Sequence, residues 1–104
     1  MNKDKQESKH NGLVYKLRDE LFQTQDYEKM LLFWEYSKNG LIGEVDLLAM
    51  ADEIYDFYEV KTTFHSKSHI KARQQYGKFQ EAFPKWNING FMYCGDGCIR
   101  RLRT

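Results

Sequence analysis

The sequence predicts a small α/β domain: one mixed sheet with flanking helices, in the order α-β-β-β-α-β-β. Three observations carry that prediction. Apolar residues recur at helical spacing in two separate stretches, near 12–25 and 66–83. Segments rich in aromatic and branched residues lie between and after them, bounded by turn chemistry such as "SKNG" and "GDG". The chain has a single proline, no repeat and no low-complexity linker, so nothing divides its 104 residues into separate domains. A chain of this length buries roughly 60–65% of its unfolded surface. Its apolar content of 41% can fill one modest core.

The elements follow in order. Residues 1–11 are polar and predict a flexible tail ahead of a single domain over 12–104. Leu13, Val14, Leu17, Leu21 and Phe22 then recur at helical spacing and predict a first helix over about 12–25. "YEKMLLFWEY", from Tyr27 to Tyr36, reads as the first strand, ended by "SKNG". "GEVDLLAMA" and "IYDFYEVKT" follow as the second and third strands, joined by a short turn at Asp52 and Glu53, which makes a meander. From Ser66 to about Phe83 the chain predicts a basic amphipathic helix, with Ile70, Tyr76, Phe79 and Phe83 on one stripe. "WNINGFMYC" and "CIRRLRT" flank "GDG" as a final hairpin.

Several function classes are excluded. No apolar run approaches the roughly 20 residues of a membrane span, and the polar start lacks the apolar stretch of a signal peptide, which predicts an intracellular chain with no membrane partner. Cys94 and Cys98, the only cysteines, have no histidines near them to complete a four-ligand zinc site, and predict two free thiols. His65 and His69 are four apart, as helix-borne metal ligands sometimes are, but their position at the start of the second helix suits phosphate or solvent better.

Charge is distributed unevenly. Residues 1–60 carry 7 Lys/Arg against 13 Asp/Glu, a net of −6; residues 61–104 carry 9 against 2, a net of +7. Such an asymmetry suits a protein that gathers cations at one place and phosphates at another, although pairing between the halves would also use it.

The acidic half concentrates its interest in "GEVDLLAMADEIYDFYEVKTT", residues 43–63. Side chains two apart on a strand share a face, so Glu44 should lie beside Asp46, and Glu59 beside Lys61, with Val45, Leu47 and Val60 pointing the other way. A short hairpin brings Asp46 and Glu59 to adjacent sites. Two converging carboxylates repel unless one holds a proton or a cation binds between them. Magnesium uses one or two protein carboxylates and takes further ligands from water and phosphate. Lys61 beside such a site would activate the attacking water or steady the charge of a phosphoryl transition state.

Asp46, twelve intervening positions and then Glu59-Val60-Lys61 resemble the PD-(D/E)XK nuclease superfamily. "GEVDLLA…YEVKT" is most similar to the archaeal Holliday junction resolvases and their small bacterial relatives. Val45 stands where some members have proline, and no arginine follows soon after Thr62, a departure from the bacterial relatives. The resemblance covers roughly residues 12–94 and implies a restriction-endonuclease-like core, Mg2+ or Mn2+ as cofactor, and hydrolysis of DNA phosphodiesters, with branched DNA as the substrate. It implies that Asp46, Glu59 and the Val60 carbonyl bind metal, and that Lys61 is catalytic. A first-helix glutamate completes the site in that branch; Glu20 matches it, with Asp19 as the fallback. Gln75, with Gln74 beside it, matches an accessory glutamine on the second helix.

Phosphate contacts are expected from Lys67, Lys71, Arg73 and Lys78 on the basic helix and from Arg100, Arg101 and Arg103 at the end of the chain. The terminal arginines would equally serve to protect an edge strand. "MLLFWEY", with Trp86 and Phe91, holds more bulky apolar residues than so small a core readily buries, which predicts a homodimer, in agreement with the twofold resolvases. The alternative function is a catalytically inactive nucleic-acid-binding or assembly protein that keeps the fold.

Overall fold

The structure is a computed structural model, described here for residues 3–103; residues 1, 2 and 104 lie outside it. Its elements are α1 (Lys3–Thr24), β1 (Lys29–Lys38), β2 (Leu41–Ala51), β3 (Ile54–Lys61), α2 (Ser66–Ala82), β4 (Asn87–Cys94) and β5 (Ile99–Leu102). The five strands form one mixed sheet in sequence order, β1-β2-β3-β4-β5. β3 and β4 are parallel and every other neighbouring pair is antiparallel. Parallel neighbours need a long crossover, and α2 supplies it.

The two helices cover different sides of the sheet. Val14, Leu17 and Leu21 of α1 pack with Leu47, Ala49, Tyr58, Val60 and Tyr93. Ala72, Tyr76, Phe79 and Ala82 of α2 pack with Val45, Leu48, Phe57, Met92 and Leu102. Val14 and Leu17 are fully buried, and truncating Leu17 to alanine would cost about 2–5 kcal/mol.

Two turns set the register of the meander. Asn39 and Gly40, at φ 54° and 77°, join β1 to β2, while Asp52 and Glu53, at φ 50° and 66°, join β2 to β3. Both are two-residue loops with positive φ at each central position, the geometry that matches strand twist. Asn-Gly adopts it readily, whereas Glu53 does so against its own preference.

The expected flexible tail is instead helical from Lys3 onward. Its polar composition hid a continuous face: His10, Val14, Leu17 and Leu21 lie four, three and four apart, one stripe down α1. Part of the aromatic surplus packs within one chain, while Phe22, Phe64 and Tyr15 stay exposed and residues 30–34 of β1 are only half-buried. Trp86 stacks between Tyr55 and Phe83, with ring centroids 4.1 and 4.0 Å away, and Trp34 and Tyr36 pack edge-on against Phe79. Among the described residues no helix is long and apolar enough to cross a membrane.

Candidate active site

β2 does not keep strict alternation. Val45 and Leu48 both pack on the α2 side, and Leu47 and Ala49 on the α1 side. In an unbroken strand Val45 and Leu47 would share a face, as the sequence predicts. The phase slips by one residue at Asp46. β1 slips opposite it: Leu32 and Phe33 both face α1, Trp34 faces α2, and Phe33 has φ 52°. The ladder between these strands pairs Leu32 with Leu47 and Trp34 with Val45, skipping Phe33 and Asp46.

The slip opens the site. Pairing between β2 and β3 ends at Leu47 and Tyr58, so the next residues of β3 lack backbone partners on β2. The carboxylate of Asp46 takes the place of that missing backbone: its Oδ2 accepts the Val60 amide at 2.8 Å. The Val60 carbonyl, on the same edge of β3, is left for another donor, and His10 Nε2 approaches it at 3.1 Å. The same Nε2 lies 3.2 Å from Asp46 Oδ2, and His10 Nδ1 lies 3.2 Å from Asn11 Oδ1. All three of these partners are oxygens, an arrangement that favours the doubly protonated imidazolium.

Asp46 and Glu59 are both 7% exposed. Burial, the neighbouring Asp46 and its charge push the Glu59 carboxyl well above the ordinary carboxylate range, against a smaller opposing pull from Lys61. Burial alone would raise Asp46 too, but its hydrogen bonds with His10, Glu59 and the Val60 amide outweigh that and hold it below its ordinary value. His10 is raised to about 8, first by its hydrogen bond to Asp46. The two carboxyls are thus driven apart, one ionised and one protonated.

These groups open onto a cleft of about 1010 Å³ lined by Lys5, Gln6, Lys9, His10, Asp46, Glu59, Val60, Lys61, Thr62 and Lys71. The floor is acidic and the walls are basic. Lys5 and Lys9, one turn apart on α1, stand on one wall; on α2, Lys67, Lys71 and Lys78 fall on one helical stripe that passes the other.

Of the expected residues, Asp46, Glu59, the Val60 carbonyl, Lys61 and Lys71 meet at the cleft. Glu20 does not. It lies ten residues beyond His10, about 15 Å along the helix, and lines a separate cavity with Tyr27, Asp56 and Tyr58. Its Oε1 is 3.4 Å from the Tyr93 hydroxyl, and Asp19 is exposed and paired with Arg18. The register of α1 along the sheet, set by Val14, Leu17 and Leu21, places its N-terminal third over the site, so His10 stands where a first-helix carboxylate was expected. Gln75 is half-buried on α2, outside the cleft-lining set, and Gln74 is exposed.

Three of the four arginines expected to contact phosphate have partners within the chain. Arg100 pairs with Asp96 at 2.9 Å and lies over the Phe64 ring; Arg101 donates to Asn89 at 2.8 Å and lies over Phe91; Arg73 donates to the Arg103 carbonyl at 2.9 Å. Of this set only the Arg103 side chain is exposed with no contact among those just described. His65 caps α2, its side chain accepting the Ser68 amide, and Cys94 and Cys98 are free thiols.

His10, Lys5 and Lys9 were absent from the sequence-based set. The signal for His10 was present, since it stands one turn ahead of Val14 on the buried stripe. No family model matches the chain, and no curated protein matches its sequence.

Proposed function

We propose that the protein is a metal-dependent nuclease that hydrolyses DNA phosphodiester bonds, with branched DNA as its preferred substrate and a homodimer as its working form. The observation that carries this reading is a pair of buried carboxylates, Asp46 and Glu59, beside the Val60 carbonyl, which among the described residues has no backbone partner on β2 and meets only His10, on the floor of a cleft walled with lysines. Stability alone explains the cluster poorly, since buried ionic groups are often no better than apolar packing.

The donor set suits a divalent cation. Two carboxyls and the Val60 carbonyl are oxygen donors, and a cation would offset the burial and the neighbouring Asp46 that keep Glu59 protonated. Once bound, it would supply charge stabilisation to a transferring phosphoryl group. This chain's own residues would do the rest. Lys5, Lys9 and Lys71 would hold flanking phosphates; Lys61 would orient the attacking water and offset the negative charge that develops on the phosphoryl oxygens. A twofold dimer would set two such clefts against the symmetric strands of a junction. Preference for branched DNA rests on the sequence resemblance.

The test is cleavage of labelled four-way junction, fork, linear duplex and single-stranded DNA with Mg2+ or Mn2+, beside Lys61→Ala. Cation-dependent cutting that Lys61→Ala removes supports the reading, and the substrate ranking decides the branch. The His10–Asp46 pair favours a second reading, a nucleic-acid-binding protein without hydrolysis, because its imidazolium already balances Asp46. In that case DNA binding would persist without cation and through Asp46→Ala.

A further inference from the structure

We infer that His10 is a metal ligand, and that its imidazole tunes the site to a first-row transition cation such as Mn2+ in preference to Mg2+. The inference rests on the metal-dependent reading of the cleft and deepens it by naming the cation class.

His10 Nε2 addresses the same two oxygens that the proposed cation would take, Asp46 Oδ2 at 3.2 Å and the Val60 carbonyl at 3.1 Å. Neighbouring ligands of an octahedral ion, each roughly 2.1 Å from the metal and at right angles, lie about 3 Å apart. Both separations therefore suit His10 as a neighbour of each oxygen on a shared octahedral ion. The other ring nitrogen has the partner that metal-bound histidines require. Nδ1 donates to Asn11 Oδ1 at 3.2 Å, which fixes the tautomer and aims Nε2 into the site.

Backbone placement makes this arrangement durable. His10 continues the stripe of Val14, Leu17 and Leu21, so the packing that docks α1 on the sheet also fixes the ring over Asp46. Among the described residues no three His, Cys, Asp or Glu side chains are placed to hold a metal ion as they stand. His10 touches Asp46, and Asp46 touches Glu59, in a chain of contacts. Binding would close that chain around the ion, and the Nε2 proton would pass to solvent.

The choice of ion follows from donor chemistry. Mg2+ is hard, takes oxygen ligands and holds its waters, whereas imidazole suits the transition metals. One nitrogen among carboxylate and carbonyl oxygens shifts preference toward the latter. A helix carboxylate at position 10 would leave an all-oxygen site and no such bias.

The experiment is calorimetric titration of chelator-stripped full chain with MnCl2 and, separately, MgCl2, comparing wild type with His10→Ala, His10→Gln and His10→Glu. Circular dichroism melts would check that each variant folds. Wild type should bind Mn2+ at least about 10-fold more tightly than Mg2+. His10→Ala and His10→Gln should weaken Mn2+ by about 10- to 100-fold while Mg2+ changes little, and His10→Glu should recover Mg2+. Pulsed electron paramagnetic resonance of the Mn2+-loaded wild type should show coupling to a directly bound 14N that His10→Gln removes. An unchanged Mn2+ to Mg2+ ratio in the variants would sink this inference while leaving the metal site intact. Tighter binding of both ions by His10→Ala would show the ring to be a plug that excludes them, and would overturn it equally. No binding of either ion by any form would overturn the metal-dependent reading along with it.

Discussion

β3 carries two carboxylates three residues apart, Asp56 and Glu59, that the fold treats in opposite ways. Asp56 accepts the Tyr27 hydroxyl at 2.5 Å and the Asn89 amide at 3.1 Å. Because Tyr27 spends its proton on Asp56, Tyr58 donates to Tyr27 at 2.9 Å, and Asn89 in turn accepts from Arg101 at 2.8 Å. The network closes on itself, each partner facing an opposite kind of group. Glu59 instead faces a second carboxylate, and the strand edge beside it has lost its neighbour. A closed network of this kind holds structure together. A cluster in which two buried carboxyls meet, one kept protonated by burial and by the other, has capacity for something from outside.

Five substitutions and a pH series would break or sharpen that contrast. The largest effect is expected at the cleft: Lys61→Ala and Asp46→Asn should each lower cleavage by about a hundred- to a thousand-fold. Thermal melts should move little for Lys61→Ala, whose side chain is only half-buried. Asp56→Ala should show the reverse pattern. It leaves the Tyr27 hydroxyl and the Asn89 amide without their acceptor, costing about 1–3 kcal/mol and lowering the melting temperature on the order of 10 °C. Cleavage per folded molecule should hold. If Asp56→Ala instead abolished cutting in a fully folded protein, the contrast would be wrong.

Next in size is pH. Glu59 is raised in the folded chain, so above its ordinary 4.5 the unfolded chain loses that proton first and stability falls as pH rises. His10 acts in the same direction: its contribution is complete below 6.5 and is lost as pH passes about 8. Asp46 is lowered, so its contribution is lost as pH falls below 3.8. Melts from pH 3 to 9 should therefore peak in mildly acid solution, and Glu59→Gln should flatten the descent above pH 5. A cation-loaded sample should lose that descent as well, since a bound ion replaces the protons.

The smallest effect is expected at the turn. Glu53, exposed at φ 66°, adopts a conformation that glycine takes at no steric cost. Glu53→Gly should stabilise by about 0.5–1 kcal/mol, read as a rise in urea midpoint with unchanged slope. Cleavage should not change, which separates a strained turn from the working end of the same hairpin.

The order of elements was legible because it is written locally. Helical spacing from Leu13 to Leu21, the aromatic runs of the strands and the turn chemistry at Asn39-Gly40 depend only on neighbours in the chain. The meeting of Asp46 with Glu59, Val60 and Lys61 was legible for the same reason, since a two-residue turn leaves two adjoining strands little freedom. Tertiary structure alone decided the rest. His10 reaches Asp46 across 36 residues and Val60 across 50, and where a helix docks along a sheet is settled by packing. That docking put His10 at the cleft and Glu20 about three turns away. The paired slip at Phe33 and Asp46 arises because two strands must satisfy both faces of the sheet at once. Arg100 and Arg101 gained partners within the chain because Asp96 and Asn89 came within reach. Local pattern dictates which elements form; only the assembled layers determine which side chains are left with unmet needs.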